Sequence, residues 1–262
     1  MPKLLEGKTA LVTGVANKWS IAFAIAQAFV REGAEVILTY QSDRQKLTAE
    51  DLAHEVGIKR LLQCDVTLES ELEQLTASLK GTNLHSVAHC IAFANREDLA
   101  RPFSETSREG FLLAQEVSAF SLVALARATR PAMNPADQGG ASLMTLSYLG
   151  AVRVVQNYNV MGVAKAALES TVRYLAADLG ASNIRVNAIS AGPIKTTSAR
   201  GIRNFTKVLE GTVNLNPLRR NTDPAEVADT AVFLASVLGR GVTGNVLYVD
   251  AGFQIMGLTL PD

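Results

Sequence analysis

Residues 9–22 read TALVTGVANKWSIA, a short apolar run that passes through a glycine turn into an amphipathic segment. The apolar run predicts a buried strand, and Ile21 to Arg31 has the apolar spacing of a helix. Gly14 permits a tight turn between the two, and Ser20 stands where a helix N-cap is expected. Because backbone amides at a helix start bind phosphate groups, the segment predicts a dinucleotide site, although the strict three-glycine fingerprint is absent.

The alternation of apolar strands with helical segments continues along the chain. Further strands are predicted at residues 35–40, 60–64, 87–91, 142–146, 185–189 and 246–249, after a first strand at 9–13. Helices are predicted at residues 21–31, 44–56, 69–80, 107–128 and 158–179. Continuous apolar strands that alternate with helices are typical of a parallel sheet covered on both faces. We therefore predict an α/β fold, a single Rossmann-type domain over residues 1–262 with a doubly wound, seven-stranded parallel sheet.

Composition limits the possible classes of protein. The 262 residues include 25 basic and 25 acidic side chains, so neither nucleic acid nor an anionic membrane is an expected partner. No apolar run approaches the roughly 20 residues of a membrane span, and the first residues lack a signal-peptide core, which favours a cytoplasmic protein. Cys64 and Cys90 are expected to be reduced, buried residues, and His89 a hydrogen-bonded strand residue. No cysteine or histidine has the spacing of a metal ligand.

The ends of the second and third strands offer contacts to the adenosine half of a dinucleotide. Gln41 stands where an acidic residue usually receives the ribose hydroxyls, and it supplies no cation for a 2′-phosphate, which favours NADH over NADPH. Arg44 either reaches such a phosphate or is a solvated charge at a helix start. Asp65, followed by Val66, either accepts the adenine amino group or belongs to a turn.

Tyr158 and Lys165 are the candidate catalytic pair. They stand seven residues apart, nearly two helical turns, so both side chains are expected on one helix face, about 10 Å apart along the axis. A nearby ammonium favours the phenolate and eases proton loss. The lysine donors could also hold the nicotinamide ribose. In a chain that binds a dinucleotide, this pair indicates hydride chemistry.

A resemblance to one family rests on residues 14 and 20–22, 146–151, 157–162, 165, 185–194 and 249–253. These stretches resemble the bacterial enoyl-[acyl-carrier-protein] reductase of type II fatty-acid synthesis, a divergent branch of the short-chain dehydrogenase/reductase superfamily. The most specific element is the Tyr-x6-Lys spacing with a second tyrosine, Tyr148, ten residues earlier. Most members of the superfamily carry Tyr-x3-Lys instead. The chain departs from the family at Ala92, where a glycine is common, and at residues 95–96, where Pro-Gly is frequent.

The resemblance implies NADH-dependent reduction of the trans-2 double bond of an enoyl thioester on acyl carrier protein, by a homotetramer. Tyr158 would stabilise the enolate and donate a proton, Lys165 would orient NADH, and Tyr148 would line the acyl site. The implied cofactor contacts are Gly14, Ser20, Ile21, Gln41, Asp65, Val66, Ile91, Lys165, Ile194, Lys195, Thr196, Thr197 and Ser198. The implied substrate contacts are Ala94, Tyr148, Tyr158, Met161, Ile202 and Phe205, the last two in a flexible loop around residues 196–209.

Enoyl reduction gives a chemical reason for the longer Tyr–Lys spacing, which we offer as a hypothesis. Hydride goes to C3, while negative charge develops on the thioester oxygen two carbons away, so the phenol must reach farther from the nicotinamide than in ketone reduction. The nearest alternative is a 3-ketoacyl or other carbonyl reductase of the same superfamily. An alternative of another class is a non-catalytic NAD(H)-binding regulator, which the presence of both Tyr158 and Lys165 disfavours.

Overall fold

The structure, a computed structural model, describes residues 3–134, 136–196 and 205–257. Its strands are β1 (Thr9–Val12), β2 (Glu35–Tyr40), β3 (Arg60–Gln63), β4 (Leu84–His89), β5 (Ala141–Tyr148), β6 (Ile184–Ala191) and β7 (Val246–Val249). Neighbouring strands are all parallel, in the order β3-β2-β1-β4-β5-β6-β7. The strand order reverses at β1, which lies between β2 and β4. The predicted α/β fold with a seven-stranded parallel sheet is confirmed.

Helices cover both faces of this sheet. They are α1 (Ile21–Arg31), α2 (Asp43–Glu55), α3 (Glu69–Ser78), α4 (Arg96–Ala100), α5 (Arg108–Gln115), α6 (Ser121–Thr129), α7 (Val160–Gly180), α8 (Phe205–Leu215) and α9 (Pro224–Ala235). One apolar cluster joins the sheet to α1 and α9, and includes Phe23 and Val232. A second joins the other face to α3, α6 and α7, and includes Leu75 and Leu168. Because the central strands are buried on both faces, apolar residues occur on both, as Leu143 and Met144 of β5 show.

Several helices differ from those that the sequence predicts. The predicted helix 107–128 is divided into α5 and α6 by a π-helical turn, Glu116–Phe120. The helices α4, α8 and α9 were not predicted. Helix α9 begins with a capping box, in which Asp223 accepts a hydrogen bond from the Ala225 amide at 2.8 Å and Glu226 accepts one from the Asp223 amide at 2.9 Å. This Asp-Pro-x-Glu pattern was a readable helix start.

Residues 108–132 form a helical stretch that is long and apolar enough, by length and composition, to cross a membrane. The expectation that no segment reaches such a length is therefore wrong. Half of its most apolar part is buried inside the protein. Leu122 and Leu125 are fully buried in the cluster that covers the sheet, so packing against the core accounts for the buried half of these apolar residues.

Candidate active site

A cavity of about 720 Å³ lies at the carboxyl ends of β1, β4, β5 and β6. Parallel α/β sheets bind ligands at this edge, where the strand order reverses. Many of the predicted site residues line the cavity: Gly14, Ser20, Ile21, Ile91, Ala94, Tyr148, Tyr158, Met161, Lys165, Ile194 and Thr196. The fold thus brings the three predicted catalytic side chains to one cavity with the glycine turn.

The predicted adenosine contacts lie at the same sheet edge but do not line this cavity. The Gln41 side-chain amide donates to Asp65 Oδ2 at 2.8 Å. Asp65 Oδ1 accepts from the Thr67 backbone amide at 2.9 Å and from the Thr67 hydroxyl at 2.7 Å. Burial acts to raise the pKa of Asp65, but the hydrogen bonds from Gln41 and Thr67 outweigh it and hold the pKa below its usual value. Asp65 is therefore an ionised carboxylate at this edge of the sheet. Val66 beside it is buried, and Arg44 is exposed in the first turn of α2.

The other predicted contacts fall elsewhere. Lys195 lines a neighbouring pocket of about 610 Å³. Phe205 is the first residue of α8, so residues 205–209 are helical and not part of a loop. Thr197, Ser198 and Ile202 lie outside the described residues.

The glycine turn after β1 is packed tightly against the residue that follows β4. Gly14 has φ +79°, and a Cβ at this position would lie 2.1 Å from the Cys90 carbonyl oxygen. The Ser20 hydroxyl accepts a hydrogen bond from the Phe23 amide at 3.2 Å, so the predicted N-cap of α1 is confirmed. The turn is thus closed to any side chain at residue 14 and leaves the start of α1 facing the cavity.

We expect the Gly14→Ala substitution to weaken NADH binding at least tenfold and to lower the free energy of unfolding by about 2 kcal/mol or more. Alanine is strained at this positive φ, and its Cβ would also clash with the Cys90 carbonyl oxygen. Gly57→Ala is the matched control, because Gly57 has φ +76° but nothing within 4 Å of an added Cβ. Equilibrium unfolding and NADH fluorescence titration of both variants check this. Equal effects of the two substitutions would contradict the steric part of the account.

The two cysteines are free thiols, as predicted. Cys64 is buried, but Cys90 is only partly buried and lines the cavity, so the expectation that both are buried core residues is wrong for Cys90. Burial raises the pKa of the Cys90 thiol to about 12. The thiol is therefore neutral, and the side chain forms part of the cavity wall.

Lys165 projects from α7 into the buried side of the cavity. Its ammonium donates a hydrogen bond to the Leu146 carbonyl oxygen at 2.7 Å, and only 5% of the residue is exposed. Burial lowers the pKa of Lys165 to about 8, since desolvation disfavours the charged form. The amine is thus fixed to the end of β5 with donors left for a ligand.

Tyr158 does not belong to the helix that carries Lys165. Helix α7 begins at Val160, so the predicted start at residue 158 is wrong and the shared helix face does not apply to the phenol. The Tyr158 ring packs edge-on against Tyr148, with centroids 4.9 Å apart and an interplanar angle of 67°. Gly150 makes room for it, because a Cβ there would lie 2.4 Å from Cδ1 of Tyr158.

The protonation of this phenol also differs from the expectation. Burial, and then the neighbouring Tyr148, raise the pKa of Tyr158 well above its usual value. The expected lowering by Lys165 is therefore wrong in this structure. A neutral phenol at physiological pH is a hydrogen-bond donor, which suits it to meet negative charge as that charge develops.

His89 lies in β4 beneath the site. Its Nδ1 is 2.8 Å from the Thr145 hydroxyl and its Nε2 is 2.8 Å from the Ser121 hydroxyl. Burial, followed by the charge of Lys165, lowers the pKa of His89 to about 3, so the ring is neutral. The predicted hydrogen-bonded strand residue is confirmed.

One wall of the cavity was missed in the sequence. It follows β4 and consists of Phe93, Asn95, Arg96, Glu97 and Leu99, most of them in the short helix α4. The signal was present, since Asn95 precedes two acidic residues in the first turn of a helix.

These features define a class of protein. A dinucleotide-type turn after β1, a buried amine and a neutral phenol share one cavity at the switch point of a parallel sheet, as in an oxidoreductase that uses a nicotinamide cofactor.

Comparison with known proteins narrows this class. A family model described as "Enoyl-(Acyl carrier protein) reductase" matches residues 14–254. The NADH-named enoyl-[acyl-carrier-protein] reductase of Bacillus cereus is 53% identical over 260 residues, 97% of this chain and 100% of the relative. The NADPH-named enzyme of Staphylococcus aureus is 47% identical over 256 residues, 95% and 98% of the two chains. A crystal structure of the Bacillus cereus reductase with NADP+ and an indole naphthyridinone has a TM-score of 0.94 at 52% identity, covering 98% and 100%. The chain belongs to the enoyl-(acyl carrier protein) reductase family.

Proposed function

We propose that this reductase uses NADH to reduce the trans-2 double bond of enoyl thioesters on acyl carrier protein, in the last step of the type II fatty-acid elongation cycle. The names of the relatives support the reaction. The observation that carries the assignment of residues is the convergence of Tyr158, Tyr148 and Lys165 on the cavity that begins at Gly14. Gly14 lines the cavity, and its turn leads into the start of α1, where backbone amides can bind the pyrophosphate of a dinucleotide.

Each catalytic side chain has a role that follows from its chemistry. NADH, when bound, would supply a hydride for C3 of the enoyl group, and negative charge would develop on the thioester oxygen. Tyr158, a neutral phenol, donates a hydrogen bond to that oxygen and is the proton donor for completion of the reaction. Lys165 holds the nicotinamide ribose hydroxyls with the ammonium protons that Leu146 leaves unused. Tyr148 lines the acyl site together with Ala94 and Met161.

The remaining cofactor contacts are proposed at the sheet edge and the loop after β6. Gln41 and Asp65 receive the adenosine half, while Ile194 to Ser198 meet the nicotinamide amide and the pyrophosphate. The ionised Asp65, hydrogen-bonded to Gln41, would repel a 2′-phosphate, which supports NADH over NADPH. Residues 196–209, of which 205–209 form the first turns of α8, are proposed to act as the substrate-binding segment of a single reductase domain.

Initial rates with matched thioesters test the function directly. We expect NADH to be oxidised with a crotonyl thioester and not with an acetoacetyl thioester, and NADPH to be the poorer cofactor. Faster reduction of the acetoacetyl thioester would favour the ketoacyl reductase alternative. Binding of NADH without turnover of either substrate would favour the regulator.

We also propose a cytoplasmic homotetramer. Helices α5 to α7 leave large apolar side chains exposed: Phe111, Leu112, Phe120, Val123, Val163 and Tyr174. An apolar surface of this kind needs a partner, which a second copy of the chain can supply. Light scattering coupled to size-exclusion chromatography should give the mass of four chains. An active monomer at low concentration would contradict the proposal.

A further inference from the structure

Asn159, the residue after Tyr158, has a backbone conformation that normally belongs to glycine. Its φ is 40° and its ψ is −118°, and the Met161 amide donates to the Tyr158 carbonyl oxygen at 3.0 Å across it. These angles place Asn159 at the second position of a type II′ turn, where glycine is preferred. An asparagine in this conformation is strained, and such strain persists only where the surrounding contacts fix it.

The side chain of Asn159 holds the end of α4. Its amide nitrogen donates to the carbonyl oxygens of Arg101 at 2.8 Å and Leu99 at 3.0 Å, and lies 3.5 Å from that of Asp98. The last carbonyl groups of a helix have no partner within the helix. Asn159 therefore caps α4 from a different part of the chain, sixty residues away in sequence.

Helix α4 is also anchored on its other side. Asp98, only 2% exposed, accepts hydrogen bonds from the Ser107 amide at 2.9 Å and the Ser107 hydroxyl at 3.1 Å. Leu99 packs in one apolar cluster with Tyr158 and Met161, and it lines the cavity. The cavity wall that carries Leu99 is thus fastened both to the start of α5 and to the residue beside the phenol.

We infer that Asn159 is a positioning residue, which fixes the Tyr158 phenol against the α4 wall and so sets its place relative to a bound acyl thioester. The inference rests on the proposed role of Tyr158. Asn159 touches neither substrate nor cofactor in this account and acts through the phenol alone. Displacement of a catalytic group by about 1 Å can slow a reaction about 100-fold.

The Asn159→Gly variant isolates the amide, because glycine adopts this backbone conformation without strain. We expect kcat with a crotonyl thioester to fall about tenfold or more. The KM for NADH should stay within about twofold, since the glycine turn and Lys165 keep their contacts, and the thermal unfolding temperature should stay near that of the wild type. Asn159→Asp removes the donor while keeping the shape of the side chain, and should show the same split between kcat and KM.

Two comparisons make the test specific. Asn183→Gly is the matched control, because Asn183 has φ 53° but lies before β6, at the amino edge of the sheet, and should leave kcat unchanged. In the Tyr158→Phe background, Asn159→Gly should lower kcat further by less than about twofold, since effects that act through one group are not additive.

The outcomes separate this inference from the proposed function. Full activity of Asn159→Gly and Asn159→Asp, with slow Tyr158→Phe, overturns the positioning role alone. The positioning role is also overturned if the double variant loses kcat by the product of the two single losses. A rise in the KM for NADH in parallel with the loss of kcat overturns it too, since either result points to a general structural role. Full activity of Tyr158→Phe overturns the assignment of the phenol on which the inference rests.

Discussion

We expect the Tyr158→Phe variant to reduce a crotonyl thioester about 100-fold more slowly than the wild type, with little change in NADH affinity. The substitution removes one hydroxyl from a buried ring and keeps the edge-on contact with Tyr148. Loss of a single donor to developing negative charge in a buried site costs about 10²–10³ in kcat. Steady-state kinetics, with NADH titration by fluorescence, separates the effect on kcat from any effect on binding.

The control for this variant is Tyr248→Phe, the same change at a more exposed tyrosine in β7. It should leave both kcat and NADH affinity unchanged. If Tyr158→Phe kept the full rate with every enoyl substrate, the phenol would not stabilise the thioester oxygen. The explanation of the Tyr-x6-Lys spacing would then fail with it.

The Lys165→Met variant is expected to lose more activity than Tyr158→Phe. Its kcat/KM for NADH should be lowered about 1,000-fold. Methionine keeps a flexible stem of similar size but removes every donor to the ribose and the bond to Leu146. Lys165→Arg keeps a positive charge and should retain measurable binding. An unchanged kcat/KM for NADH in Lys165→Met would show that this amine does not hold the cofactor.

Burial of Lys165 has a consequence for stability. Its pKa falls from 10.5 to about 8 on folding, so between these values the unfolded state binds more protons and stability rises with pH. At pH 7 the charged, buried amine is a cost of roughly 3 kcal/mol, which Lys165→Met removes. We therefore expect the variant to be more stable than the wild type at pH 7, by an amount that shrinks as the pH rises past 8. Urea unfolding at several pH values measures this difference, and a constant difference would contradict the lowered pKa.

Much of the fold could be predicted because buried parallel strands have a local signature. Helix α1 and β2 have the predicted bounds, since their apolar spacing and flanking residues are unambiguous. The start of α7 was misplaced because Tyr158 and Asn159 form a turn whose angles depend on contacts with α4. The π-helical turn inside 107–128 likewise leaves no mark on the helical spacing.

The site was predicted less completely, and the reasons are physical. Spacing and resemblance named the side chains that line the cavity, but the pKa of a phenol depends on its desolvation, which is a property of the folded chain. The raised pKa of Tyr158 and the capping of α4 by Asn159 both arise from residues distant in sequence. Cys90 was taken for core for the same reason, because strand position alone does not distinguish a cavity wall from a packed interior.

The central claim is that Tyr158 meets charge on the thioester oxygen while Lys165 holds the nicotinamide ribose. A crystal structure with NAD+ and an unreactive acyl thioester bound together tests it most directly. We expect the Tyr158 hydroxyl within about 3 Å of the thioester oxygen, and the Lys165 ammonium within about 3 Å of a ribose hydroxyl. A phenol turned away from the acyl group, or an amine out of reach of the ribose, would contradict it.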